Sequence, residues 1–158
     1  SELCWRVKIN RYLLNLQLSV SARIPAVPIE GSQHPNQEKS SMSIRRIETG
    51  ERMSQTVVHG NTVYSAGQVA RSAAGASVTD QTHAILGQLD ALLAEAGTDK
   101  SRLISATIWI SDMSTFNEMN AVWDAWVSPG NTPARACVEA KLASPDFTVE
   151  IAVIAALD

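Results

Sequence analysis

The sequence predicts an α+β domain, a mixed β-sheet with two helices packed on one of its faces. Two observations carry this, and a third limits the alternatives. Short stretches of period-two alternation lie towards both ends of the domain, and two longer stretches with apolar residues at helical spacing lie between them. No internal repeat or glycine-rich phosphate-cradling loop interrupts the order βββαβαββ, which suits one sheet covered on one side.

Taken in order, Ile44 to Ile47, Gln55 to His59 and Thr62 to Ala66 read as strands, with His59-Gly60-Asn61 as the turn between the last two. Gly67-Gln68 and the Ala/Ser/Gly-rich stretch from Ser72 to Ser77 read as loop. A helix follows from Thr79, suited to the N-cap, to Ala96. Ile85, Leu89, Leu92 and Ala96 share one of its faces and Gly97 stops it. Leu103 to Ile110 alternates as a strand, with Ile104, Ala106, Ile108 and Ile110 on one face and Ser105, Thr107 and Trp109 on the other. Ser114 can cap a second helix in which Phe116, Met119, Trp123 and Val127 recur at helical spacing, a stripe that reads as core and not as a cofactor box. Two strands close the chain, one around Ala134 to Ala140 and one in the run Phe147 to Ile154.

At 158 residues, 45% hydrophobic and 18% charged, the chain suits one globular domain with a sizeable core. Its formal charge of −3 is unevenly spread. Residues 42–158 hold 8 Lys+Arg against 13 Asp+Glu, so the domain is acidic and lacks the basic surface that nucleic acid requires. Cys4 and Cys137 lie in different regions without metal-ligand spacing, and His34, His59 and His83 form no cluster. No metal is expected, and a reduced, cytoplasmic protein is the simpler reading.

Residues 1–41 read as an N-terminal extension, whether non-native, targeting or upstream, and 42–158 as the domain. The extension opens without Met, and its apolar run Tyr12 to Leu18 is interrupted by Asn15 and Gln17. That is far short of the roughly 20 residues a membrane span needs. Arg6, Lys8, Arg11 and Arg23 would suit a targeting peptide, but Glu2 and Glu30 dilute the pattern.

The candidate site lies near the C-terminus. Arg135 and Glu150 each interrupt an apolar alternation that predicts a buried strand, and buried charge is costly unless it is paired or binds something. Arg135, Cys137 and Glu139 share a strand face, and Ser144-Pro145-Asp146 gives a turn signal between the two strands. An antiparallel hairpin centred near Ala143 and Ser144 would set Cys137 opposite Glu150, with Arg135 one step away. On residue types alone, this is either a binding site or a structural Arg–Glu pair across a half-exposed hairpin.

From about Ser43 to Asp158 the chain resembles the RidA/YjgF imine/enamine deaminases, within them the YoaB-like branch. The resemblance is carried by Gly60 to Gln68 (GNTVYSAGQ), Asp112 to Asn120 (DMSTFNEMN), Pro133 to Val138 (PARACV) and Val149 to Ile151 (VEI). It implies a YjgF/chorismate-mutase-like fold and a homotrimer whose sheets form a central barrel, with pockets between subunits. It also implies hydrolysis of small 2-imino or 2-enamino acids to 2-keto acids and ammonia without metal or organic cofactor.

By resemblance, Arg135 matches the arginine that holds the substrate carboxylate, and Glu150 the carboxylate that positions or deprotonates the attacking water. Cys137 matches the pocket cysteine whose backbone carbonyl orients that water; nothing in its motif would lower the thiol pKa, so no nucleophilic role is assigned. Asn120 matches a pocket-side asparagine or ties its helix to the backbone, and Gly67 gives close backbone approach or marks a strand end. Two positions depart from the family pattern. Ala66 stands where a pocket serine is usual, and Met53 where a pocket tyrosine is. Ser65 would point to the opposite sheet face and cannot simply substitute. The competing expectation from the same residues is a non-catalytic trimer that binds a 2-keto acid or related carboxylate.

Overall fold

The computed structural model describes residues 43–157. The expectation of a separate extension over 1–41 lies outside the described residues. One mixed sheet organises the domain: β1 (Ile44–Thr49), β2 (Ser54–His59), β3 (Thr62–Ser65), the two-residue β4 (Gln68–Val69), β5 (Leu103–Ile110), β6 (Ala134–Glu139) and β7 (Val149–Ala156). Helices α1 (Val78–Ala96) and α2 (Phe116–Trp126) cover one face. Strand order is β1-β2-β3-β7-β5-β6, and β4 joins the same edge of β7 as β3, nearer that strand's start. All pairings are antiparallel except β5 with β6, the parallel pair linked through α2.

The core forms where the alternating apolar residues of the sheet meet the helices. Val63, Ile108, Ile110, Val149, Ile151 and Ala155 on one sheet face pack with Ile85, Leu89, Leu93, Met119 and Trp123 from the helices. Ser77, not Thr79, caps α1: its hydroxyl accepts from the Asp80 N–H and donates to the Asp80 carboxylate. Gly97, at a φ of 95°, closes the same helix in a left-handed conformation that costs glycine little. Before α2, Asp112 rather than Ser114 is the capping side chain: it accepts from the Ser114 N–H at the start of the 3₁₀ turn Met113–Thr115, and α2 itself starts after Thr115 without a side-chain cap. The Ser114 hydroxyl first, and that N–H bond second, hold the Asp112 carboxyl below its usual range.

Two strand expectations change in detail. Gln68–Val69 is not loop but β4, hydrogen-bonded to β7. In β5 a bulge between Leu103 and Ser105 turns Ile104 out, half exposed, and gives the inward position to Leu103.

The larger correction concerns β6 and β7, which form no hairpin. Strand β5 lies between them, paired parallel to β6 and antiparallel to β7. The Ser144–Asp146 turn is present, but its loop leads over the end of β5. Gln81, fully buried in α1, anchors that loop by donating to the Asp146 carbonyl and accepting from the Thr148 N–H.

Candidate functional site

Following the register across the sheet locates the two charges. Arg135 aligns with Ala106 and Val153, whereas Glu150 aligns with Trp109 and Val138. Aligned residues share a face, so Arg135 and Cys137 lie on the helix-covered side with Ala106 and Ile108. Glu150 lies on the other side. The two positions are two strands and three residues apart, so their Cα atoms are roughly 14 Å from each other. A structural Arg135–Glu150 pair within one chain is therefore excluded by the fold.

Arg135 is also not buried. Strand β6 is a sheet edge and is mostly exposed, because its apolar alternation meets no covering layer beyond the margin of α2. The guanidinium is nonetheless held. Its Nη1 donates to Asn120 Oδ1 at 2.8 Å, and its central carbon lies 5.2 Å from the ring centroid of Trp123, which is nearly buried. A hydrogen bond from one side and a ring face from another restrict a long side chain at little cost in solvation. One nitrogen edge stays available for a forked contact with a carboxylate.

Cys137, one turn of the pleat further along, is half-buried and packs on the core. Burial pushes its thiol above the ordinary 9.0, with the Arg135 charge opposing weakly. That disfavours a thiolate, while the backbone of Cys137 offers something else. The Ala140 N–H donates to the Ile110 carbonyl, so even-numbered β6 residues face β5 and the N–H and C=O of Arg135 and Cys137 point outward from the free edge.

The second group of predicted residues gathers where β3 gives way to β4. Glu150 lies directly over Gly67. A Cβ placed on Gly67 would come 1.9 Å from Glu150 Oε1, so only glycine admits the carboxylate there. Met53 and Gly67 line a common cleft of about 320 Å³ that also includes Gln55 and Gln68. Ala66 donates its N–H to the Gln55 carbonyl and brings no hydroxyl. The neighbouring hydroxyl is already engaged, since Ser65 Oγ accepts from the Val153 N–H at 2.8 Å.

The predicted residues thus fall into two groups on different parts of the sheet. Arg135, Cys137 and Asn120 make one, and Glu150, Gly67, Ala66 and Met53 the other. Sequence reasoning passed over Trp123 as a partner of Arg135 and Gln55 as a cleft residue. Trp123 was legible, because it follows Asn120 by three positions and so adjoins it on the helix surface. Among the described residues no group of three or more His, Cys, Asp or Glu is placed to hold a metal ion. Nor is any described helix long and apolar enough to cross a membrane.

Comparison with known proteins gives a consistent result. The family model described as Endoribonuclease L-PSP matches residues 43–157. A RutC family protein of Haemophilus influenzae is 42% identical over 114 residues, covering 72% of this chain and 98% of the relative. The RutC family protein YoaB of Escherichia coli is 41% identical over 116 residues, covering 73% of this chain and 100% of the relative. A solved structure of a YjgF protein family member from Neisseria meningitidis superposes with a TM-score of 0.71 at 44% identity, covering 74% of this chain and 97% of that one.

Proposed function

The chain belongs to the Endoribonuclease L-PSP family, with the RutC and YjgF proteins among its relatives, and on that premise we propose that it hydrolyses small reactive 2-imino or 2-enamino acids to 2-keto acids and ammonia. The observation that carries this reading is the pre-positioned guanidinium of Arg135, braced by Asn120 and Trp123 with a nitrogen edge left for a substrate carboxylate. Water adds to C2 of the imine, a proton moves to the nitrogen, and the C–N bond breaks to release ammonia. Glu150 orients the water and takes its proton, and the outward carbonyl of Cys137 accepts a hydrogen bond from it. No further reactant is needed.

Because Arg135 and Glu150 occupy opposite sheet faces, one substrate can meet both only if they come from different copies of the chain. The uncovered face supports such an assembly: Val138, Tyr64 and Ile44 are exposed there, next to Trp109 and Ile154. A homotrimer with pockets between subunits fits this requirement. A small, cofactor-independent scavenger of reactive metabolites would operate in the cytoplasm.

A purely binding role has its own support. Ala66 and Met53 carry no hydroxyl, Ser65 Oγ is occupied by the sheet, and the Cys137 thiol is raised. That reading keeps the Arg135 anchor and dispenses with turnover. A ribonuclease role, which the family description names, suits the acidic domain poorly.

The test is to generate 2-iminopropanoate with an amino-acid oxidase and follow its loss with and without purified protein. Acceleration that disappears in Arg135→Ala is expected. A rate equal to buffer, with 2-keto acid binding retained, would select the binding role.

A further inference from the structure

The cleft beside Gly67 holds more chemistry than a small aliphatic substrate requires. Its lining includes the carboxylate of Glu48, the guanidinium of Arg71 and the amides of Gln55 and Gln88, with Met53 at its mouth. Glu48 and Arg71 form no ion pair with each other or with any other described residue. Their charges are left for something else to use.

Two features show that the cleft is shaped and not merely polar. Glu48 adopts a φ of 48°, the only described non-glycine residue with a positive φ, and it is the one position of β1 that the register with β2 leaves unpaired. A left-handed glutamate is strained and persists where surrounding structure enforces it. The second feature is an amide whose direction is fixed. Gln68, nearly buried, donates its Nε2 to Gln55 Oε1 at 2.9 Å and also reaches the Ala66 carbonyl. That bond fixes which end of the Gln55 amide faces Gln68 and leaves its NH₂ group as a donor for the cleft. Across the cleft, Gln88 Oε1 is shielded from solvent without a hydrogen-bond partner. It is an acceptor lacking a donor.

We propose that this cleft is the side-chain subsite of the deaminase reading above, on which the inference rests, and that it selects 2-imino acids ending in a carboxamide. A carboxamide carries one acceptor and two donors. Its oxygen meets the Gln55 NH₂ and Arg71, and its NH₂ meets Glu48 and, after a small adjustment, Gln88. A terminal carboxylate would pair with Arg71 but oppose Glu48, a terminal ammonium would do the reverse, and an apolar chain would leave these groups unpaired. A site built to hydrogen-bond a substrate group discriminates strongly against analogues that lack it.

The experiment compares imino acids generated from glutamine, methionine and glutamate by one oxidase, with the alanine-derived compound as reference. Calorimetric binding of the four corresponding 2-keto acids runs in parallel. Preference for the glutamine-derived compound over the methionine-derived one by tenfold or more in kcat/KM is expected. In Gln55→Leu and Arg71→Ala that ratio should fall towards one. If no compound is hydrolysed but the carboxamide keto acid still binds tightest, the deaminase reading fails and the subsite stands. Hydrolysis of the alanine-derived compound with equal or lower rates for the carboxamide substrate overturns the subsite alone. So does a preference that survives both substitutions.

Discussion

Gly67 shows how one missing methyl group governs where a charged side chain sits. Any Cβ there would overlap the Glu150 carboxylate, so Gly67→Ala must displace that carboxylate or the backbone beneath it. We expect loss of hydrolysis together with a cost of about 1–3 kcal/mol, read from activity and a thermal melt on one preparation. Arg135 should behave differently. It is exposed and its contacts are one hydrogen bond and one ring face, so Arg135→Ala should abolish carboxylate binding in calorimetry while barely moving the melting temperature. Cys137→Ser should retain hydrolysis, and the thiol should alkylate more slowly at pH 8 than a free cysteine, because burial keeps it protonated. Rapid alkylation or an inactive serine variant would place the thiol in the chemistry after all. At this scale the sequence was informative about residue type and misleading about burial. Arg135 sits in an apolar alternation, yet alternation reports which face a side chain takes and not whether anything covers it.

At the scale of elements, the strands and helices were readable and their adjacency was not. The period-two stretches and the stripes through Ile85 and Met119 fixed what each segment becomes, since burial demands those repeats. No local signal states that β5 inserts between β6 and β7. The Ser-Pro-Asp turn that suggested a hairpin is real, but its path is set by Gln81 from a helix far back in the chain. Gln81→Leu would strip both loop partners while keeping the side-chain volume, so a loss of about 2–4 kcal/mol in denaturant melts is expected. The capping errors have a similar origin: Ser77 and Thr79, or Asp112 and Ser114, are near-equivalent capping residues two positions apart, and residue type alone does not choose between them. Asp112 adds a pH signature. Its carboxyl is lowered in the folded state, so its stabilisation is present above the ordinary carboxylate range and is lost as pH falls through the lowered value. The melting difference between the parent and Asp112→Ala should therefore be clear at pH 7 and shrink in strong acid.

For the whole molecule, the decisive surface is the sheet face that no helix covers. A missing second layer can be inferred from a count of helices, but which residues face it depends on register. Val138 lies exposed on that face, on the edge strand β6, and Val138→Asp should convert the assembly to monomers in light scattering while leaving the fold's circular dichroism intact. Persistent oligomers in this variant would mean that the copies meet elsewhere. The opposite-face placement of Arg135 and Glu150 has a consequence for mixed populations. A chain defective at Arg135 still carries a sound Glu150, and a chain defective at Glu150 still carries a sound Arg135. Co-refolding the two dead variants in equal amounts should therefore complement them, and random assortment around a closed ring would restore intact pockets at about a quarter of all positions. Two inactive preparations would become one active enzyme, with neither gene encoding a working copy.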